Sequence, residues 1–346
     1  MRIWVLQTAF LGDCVLTLPF LHRLLEIQPE AEVTLVATPK TRVIFEMAFA
    51  RGLRAFSSRV RLLAFDKRGR HAGMRGFQKF RSELGEAPDV AYCLQRSFRT
   101  GLLAMLGGAR IRVGYSTGAA SFLYNVLVRR HWDNGQSEIE KNLDLLRALH
   151  PPGRVPKWPS RTAPSLLRSE SAPQFEVKPL VVALGSPWAS KRWPRENALE
   201  FVRQAVAAGL DVHLIGDPTG VKDAAFIREQ VPSLLLRDFT GKTDLRAWID
   251  HVAGARLVVS NDSASVHVAS DLNVPVVALF GPTLPEFGFA PWRRDSVALG
   301  VDGLYCRPCH IHGPKRCPEG HHRCLRELGG QVVFKQVDKM LKSQPT

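Results

Sequence analysis

The chain reads as an α/β protein made of two Rossmann-like, doubly wound domains. Three observations predict it. Short β-branched runs alternate with helix-patterned stretches from the first residues, which is the signature of parallel βαβ units. A proline-rich interval interrupts the alternation midway, after which it restarts. The 346 residues are too many for one ordinary core and suit two domains of roughly 150 residues each.

In the first half, residues 3–6, 33–37, 61–65 and 90–94 read as strands, with helices at 15–27, 74–84 and 98–106. Seven prolines between Pro151 and Pro179 can sustain neither a helix nor a central strand. The alternation resumes with strands at 180–184, 212–215, 234–236, 257–260 and 276–280, and helices at 195–208, 221–230, 245–253 and 266–272. Apolar residues at 332, 333, 337, 340 and 341 then make an amphipathic closing helix. The expected division is a first domain over 1–160, a linker over 161–178, a second domain over 179–328 and a terminal helix over 329–346. Two such domains facing one another across a cleft would bind ligands beyond the carboxyl ends of their strands, so chemistry is sought in the loops that follow strands.

Composition is that of a globular protein, 45% hydrophobic and 23% charged, without low-complexity tracts or repeats. The apolar run Ile3-Trp4-Val5-Leu6 is too short for a secretion signal, and no stretch of about 18 apolar residues could span a bilayer. A cytoplasmic protein is expected. The formal charge of +15 implies an anionic partner, whether nucleic acid, a membrane surface or a phosphorylated substrate. Its distribution is uneven. From Arg51 to Arg81 there are ten Lys or Arg against the single acid Asp66, and from Val90 to Trp132 six Arg and no acid.

Three post-strand loops could carry chemistry. In the first, residues 7–13, Gly12 permits a tight turn and Asp13 sits at the helix start, as an N-cap, a proton-accepting base or both. The second, residues 185–194, combines Ser186 with the adjacent cations Lys191 and Arg192 ahead of a helix N-terminus, where backbone N–H groups and the dipole favour anions. Its alternative reading is a solvated basic turn. The third, Ser260-Asn261-Asp262-Ser263-Ala264-Ser265-Val266-His267, offers caps and free amides, with His267 about one turn into the helix. Neither G-x-G-x-x-G after the first strand nor a P-loop occurs, and G-x-S-x-G and H-E-x-x-H are also missing, so nicotinamide, P-loop and common hydrolase readings have no anchor.

Together these loops resemble the heptosyltransferases, the glycosyltransferases of family nine that build the lipopolysaccharide inner core. The similarity lies in the opening strand with Leu11-Gly12-Asp13 and Thr17-Leu18-Pro19, in KRWPRENALEFV, and in NDSASVHVASDLNVPVVALFGPTLPEFGFAPW; FDKRGRHAGMRG and LQRSFRTGLLA also look familial. The resemblance implies a GT-B-type fold, an acceptor-binding N-terminal domain, an ADP-heptose-binding C-terminal domain and inverting transfer of heptose to the core, onto Kdo or a first heptose, with a slight tilt toward the second-heptose type. It implies Asp13 as general base, and Ser186, Lys191, Arg192, Asp262, Ser263, Ala264 and His267 as donor contacts. With the basic runs it implies acceptor contacts at Gly12, Arg68, Arg70, Arg96 and Arg99, and peripheral contact with the inner membrane surface. Ala264 stands where the family usually has Gly, and Gln7 where relatives are often basic.

Four of the six cysteines, Cys306, Cys309, Cys317 and Cys324, crowd the end of the second domain among His310, His312, His321 and His322. This density suggests a structural zinc or iron site; reduced thiols and disulfides are the alternatives. Many heptosyltransferases carry a similar segment, and the family's chemistry implies no catalytic cofactor. Rival functions are a heptosyltransferase acting on protein, a nucleotide-sugar binder without catalysis, and a nucleic-acid-binding protein using the basic surface, although no nucleic-acid motif is present.

Overall fold

The computed structural model describes residues 1–132, 134–158, 163–169, 173–293 and 295–343. They form two compact units, Met1–Pro159 and Ser160–Thr346.

The first unit runs β1 (Arg2–Leu6), α1 (Leu11–Ile27), β2 (Glu32–Ala37), α2 (Arg42–Ala50), β3 (Val60–Ala64), α3 (Gly73–Leu84), β4 (Val90–Cys93), α4 (Phe98–Leu106), β5 (Ile111–Tyr115), β6 (Val126–Val128) and α5 (Glu138–Arg147). Its parallel sheet has the order β3-β2-β1-β4-β5-β6. The second unit runs β7 (Leu180–Leu184), α6 (Arg195–Ala207), β8 (Val212–Gly216), α7 (Val221–Gln230), β9 (Leu236–Asp238), α8 (Leu245–Ala253), β10 (Leu257–Asn261), α9 (Ala264–Asp271), β11 (Val276–Leu279), β12 (Val297–Leu299), α10 (Arg323–Arg326) and α11 (Gly330–Ser343). Its sheet, also parallel, has the order β12-β11-β10-β7-β8-β9. Counted from its own first strand, each sheet has the doubly wound order 3-2-1-4-5-6, and each reverses direction once, between β1 and β4 or between β7 and β10.

Burial explains why the strands are easy to see in the sequence. Strands β7 and β10 are buried along their whole length, as a parallel sheet covered by helices on both faces requires, so they read as unbroken apolar runs. The cores lie between sheet and helices. Trp4, Leu6, Phe80, Ala91 and Leu103 pack together in the first unit, and Val182, Phe201, Leu214, Val259 and Val337 in the second. Helix α11 closes the second core with Val333, Val337 and Leu341, and its first N–H, on Gly330, donates to Glu200 Oε2 on α6 at 2.7 Å.

Local chemistry moves several boundaries. Helix α1 begins at Leu11 with Phe10 as its N-cap residue, so Asp13 is the third helical residue rather than the cap; its carboxylate reaches back to accept the Phe10 N–H at 3.2 Å. Helix α9 begins at Ala264, two residues before expectation, because the Ser263 side chain accepts the Ser265 N–H and caps it. The third strand of the second unit lies at 236–238, and Leu234 outside it is exposed.

The linker expected over 161–178 falls partly outside the described residues, and its described part is packed. Leu166 and Leu167 are buried, and their N–H groups donate to the Asp271 carboxylate at the end of α9, at 3.0 and 2.9 Å, joined by the Ser165 hydroxyl at 3.0 Å.

Candidate functional site

Each loop singled out in the sequence leaves the carboxyl end of a strand that flanks a reversal point, where doubly wound sheets bind ligands. In the second unit, Gly185 turns the chain out of β7 with φ +82°, and a Cβ there would meet the Thr219 hydroxyl at 2.7 Å, so this turn requires glycine. The Ser186 N–H then donates to Thr219 Oγ1 at 3.1 Å, and Arg192 Nε donates to Ser186 O at 2.7 Å, folding the guanidinium back onto its own loop.

One short turn of helix, Ala189–Lys191, brings Lys191 to the end of β10. Its Nζ lies 2.6 Å from Asp262 Oδ2, which also accepts the Thr283 hydroxyl at 2.7 Å. Both side chains are nearly buried, at 12% and 7% exposure. A buried ion pair repays its desolvation only when the remaining hydrogen-bonding groups find partners. An ammonium has three N–H groups and Asp262 takes one, so Lys191 can meet a bound anion as well.

Next to this pair, His267 is buried and lies parallel to the Trp292 ring at 6.0 Å. Burial lowers its pKa to about 4, with Asp262 opposing and Lys191 adding, so the imidazole is neutral at physiological pH. Among the described residues its Nδ1 has no hydrogen-bond partner. Ser263 caps α9, and Ala264 opens its first turn, where the helix dipole favours negative charge. Asn261 fixes the loop against its neighbour, accepting the Trp193 N–H at 3.0 Å and donating to Gly185 O at 3.1 Å.

In the first unit, Thr8 ties three loops together. Its carbonyl accepts Lys67 Nζ at 3.2 Å, and its hydroxyl accepts Gln95 Nε2, which also donates to Thr100 Oγ1 at 2.6 Å. Lys67 is less basic than a free lysine, first because it is partly buried and then because Arg99 and Arg68 repel its charge. Lys67, Arg68 and Arg99 therefore form one cationic group. Arg96 lies over the Trp132 ring at 4.8 Å, whereas Arg70 is turned toward α3, where it pairs with Glu83 at 3.1 Å and with His71. Gly12 lies in the first turn of α1, directly before Asp13. Gln7 is buried and structural, donating to Thr17 Oγ1 at 2.8 Å, which explains why this position does not present a cation.

Asp13 has a strongly perturbed carboxyl. Its pKa is raised to about 6, first by burial and then by the charge of Glu138, while the Phe10 N–H and Arg130 pull the other way. Sequence reasoning missed Glu138, Arg130, Lys67 and Thr283. Thr283 is visible within the Gly281-Pro282-Thr283 motif; the others show their roles only through partners distant in sequence.

The expected metal at the cysteine segment finds no support. Among the described residues, no group of three His, Cys, Asp or Glu is arranged to hold a metal ion. Cys306, Cys309, Cys317 and Cys324 are free thiols. Three of them have other contacts: Cys309 Sγ donates to Cys306 O at 3.0 Å, Cys306 Sγ lies 3.9 Å from His321, and Cys324 packs into the core, where burial first and then the neighbouring thiols raise its pKa to about 11.

Residues 77–318 match glycosyltransferase family 9 (heptosyltransferase). The chain is 26% identical to lipopolysaccharide heptosyltransferase 2 of Escherichia coli, over 73% of this chain and 75% of that one. It is 23% identical to lipooligosaccharide heptosyltransferase 2 of Campylobacter jejuni, over 99% of both. The fold is that of the E. coli heptosyltransferase WaaC solved with ADP-2-deoxy-2-fluoro heptose, at a TM-score of 0.73 and 19% identity, covering 98% of this chain and 99% of the other.

Proposed function

The chain belongs to glycosyltransferase family 9, the heptosyltransferases, and from that premise we propose that it transfers L-glycero-D-manno-heptose from ADP-heptose to the lipopolysaccharide inner core with inversion at the anomeric carbon. The observation that carries this reading is the Lys191–Asp262 pair at the β7/β10 reversal, with the neutral His267 and the start of α9 beside it. This is a setting for the diphosphate and sugar of a nucleotide donor.

In the proposed reaction, Asp13 takes the proton of an acceptor hydroxyl as that oxygen bonds to the anomeric carbon. The bond from that carbon to the diphosphate breaks, and ADP leaves with the electron pair. Lys191, Arg192 and the N-terminus of α9 offset the charge that grows on the ADP. The oxocarbenium character of glycosyl transfer makes positioning a large part of the acceleration. A carboxylate with a pKa of about 6 suits the task, being a stronger base than an ordinary aspartate yet ionised near neutrality. Lys67, Arg68, Arg96 and Arg99 suit an acceptor bearing phosphate or carboxylate, because guanidinium pairs well with both.

No helix among the described residues is long and apolar enough to cross a membrane. The protein reaches its acceptor as a cytoplasmic enzyme in peripheral contact with the inner membrane. Helix α4 supports that contact: Phe98, Met105 and Leu106 face outward, and the exposed Phe122 ring lies 6.1 Å from Phe98. Anionic vesicles should co-sediment the protein better than neutral ones, and equal recovery with both would remove the charge-based part of this reading.

The deciding experiment is incubation with ADP-heptose and a series of truncated cores, followed by mass spectrometry. One heptose added to a defined core is expected. ADP released without any heptosylated core would refute transfer.

A further inference from the structure

Asp13 and Glu138 occupy matching positions on two helices that run side by side in the same direction. Asn142 Nδ2 on α5 donates to Leu16 O on α1 at 3.2 Å, and Arg154, beyond the end of α5, reaches Ile27 O at the end of α1 at 3.5 Å. The two contacts advance along both helices together, so α1 and α5 are parallel. One turn back toward the N-termini leads from Asn142 to Glu138 and from Leu16 to Asp13.

Glu138 is buried although charged. Arg130 Nη2 pairs with one carboxylate oxygen and Lys141 Nζ with the other at 2.9 Å. Arg130 in turn lies against the Tyr115 and Trp132 rings, at 4.7 and 4.4 Å, and the Tyr115 hydroxyl donates to Asn142 Oδ1 at 3.1 Å. The cluster is thus braced on the residue that ties α5 to α1. Stability alone does not account for it, since a buried ion group is often no better than apolar side chains of the same size.

We propose that Glu138 is a positioning residue for the general base: fixed by Arg130 and Lys141, its carboxylate lies beside Asp13 and thereby sets how strongly Asp13 takes the acceptor proton. The proposal rests on the reading of Asp13 as the base. Two charges of opposite sign bear on Asp13, Glu138 from α5 and Arg130 from the segment after β6, and the Phe10 N–H meets it from its own helix start. Glu138 makes Asp13 a stronger base and Arg130 a weaker one, so removing either has an opposite effect.

The test is the dependence of kcat/KM on pH for the wild type, Glu138→Gln, Arg130→Gln and the double variant Glu138→Gln/Lys141→Met, with Asp13→Asn as reference and circular dichroism to check folding. The double variant removes one negative and one positive charge, so it preserves the cluster's net charge and stands in if Glu138→Gln does not fold. The acid limb is expected to move to lower pH in both Glu138 variants, with about a threefold lower plateau from the weaker base, and to higher pH in Arg130→Gln. A uniform loss of rate with the limb unmoved, or a shift in the same direction in all variants, overturns the proposal. An unmoved limb with an inactive Asp13→Asn overturns it while the base reading stands alone. Turnover retained in Asp13→Asn ends both.

Discussion

Lys191 shows how much a single residue can disclose in sequence and how much it cannot. Two cations ahead of a helix mark an anion site, but the sequence holds no sign that Asp262 and Thr283 fix the ammonium from 71 positions and more away. Asp13 is legible as a carboxylate at a strand-to-helix junction, while its environment comes from α5 and the segment before it. Residue type and local position survive in a sequence; electrostatic setting depends on which distant elements pack together. For Lys191→Met, donor affinity should fall by about tenfold or more, as expected when a charge-assisted hydrogen bond to phosphate is lost. Titration calorimetry with ADP checks this, and unchanged affinity would remove Lys191 from the donor site.

At the scale of elements, buried strands are legible, whereas of the four edge strands β3 and β9 leave a trace in the sequence and β6 and β12 do not. Strands β6 and β12 have only three residues each and none is fully buried, so neither makes an apolar run. Strand β5 carries Arg112 and Gly114, which break the pattern, yet Gly114 is required because the Tyr124 ring occupies the space a side chain would need. Helix α5 escapes a sequence reading because its start is strongly polar, although Ser137 is a good cap whose hydroxyl accepts the Glu140 N–H at 3.2 Å. This cap matters because α5 carries Glu138. Ser137→Ala should cost about 1 kcal/mol, lowering the melting temperature by about 2–4 °C. Calorimetry measures it, and an unshifted melting temperature would show that packing on α1 holds the helix start without the cap.

At the scale of the whole molecule, the repeated α/β rhythm makes both units and their doubly wound class readable in the amino-acid pattern. The expected metal finds no support at this scale: among the described residues no three His, Cys, Asp or Glu are arranged to hold an ion, while one thiol packs into the core and another donates to a backbone carbonyl. The fold also buries histidines without a role in the proposed site. His213 Nδ1 and His251 Nε2 lie 2.8 Å apart among Phe175 and Phe239, and burial lowers both pKa values, that of His251 to about 4. A histidine kept neutral in the fold contributes stability that is present above its unfolded pKa of about 6.5 and is lost as pH falls toward its folded value. Asp13 and Asp271, both raised to about 6, act in the opposite sense over an overlapping window. His251→Phe should therefore lose less stability between pH 7 and pH 5 than the wild type, as read from denaturant midpoints; equal losses would contradict the assignment of acid sensitivity to this pair.

Inverting transfer with Asp13 as the base is the core of the proposed function. Its most direct test is to determine the anomeric configuration of the product by NMR, for ADP-heptose and the accepted core, alongside turnover by wild type and Asp13→Asn. An inverted linkage is expected, and for Asp13→Asn a rate lower by about 10²–10⁴-fold with ADP binding preserved. Retained configuration, or near-normal turnover without the Asp13 carboxylate, would contradict it.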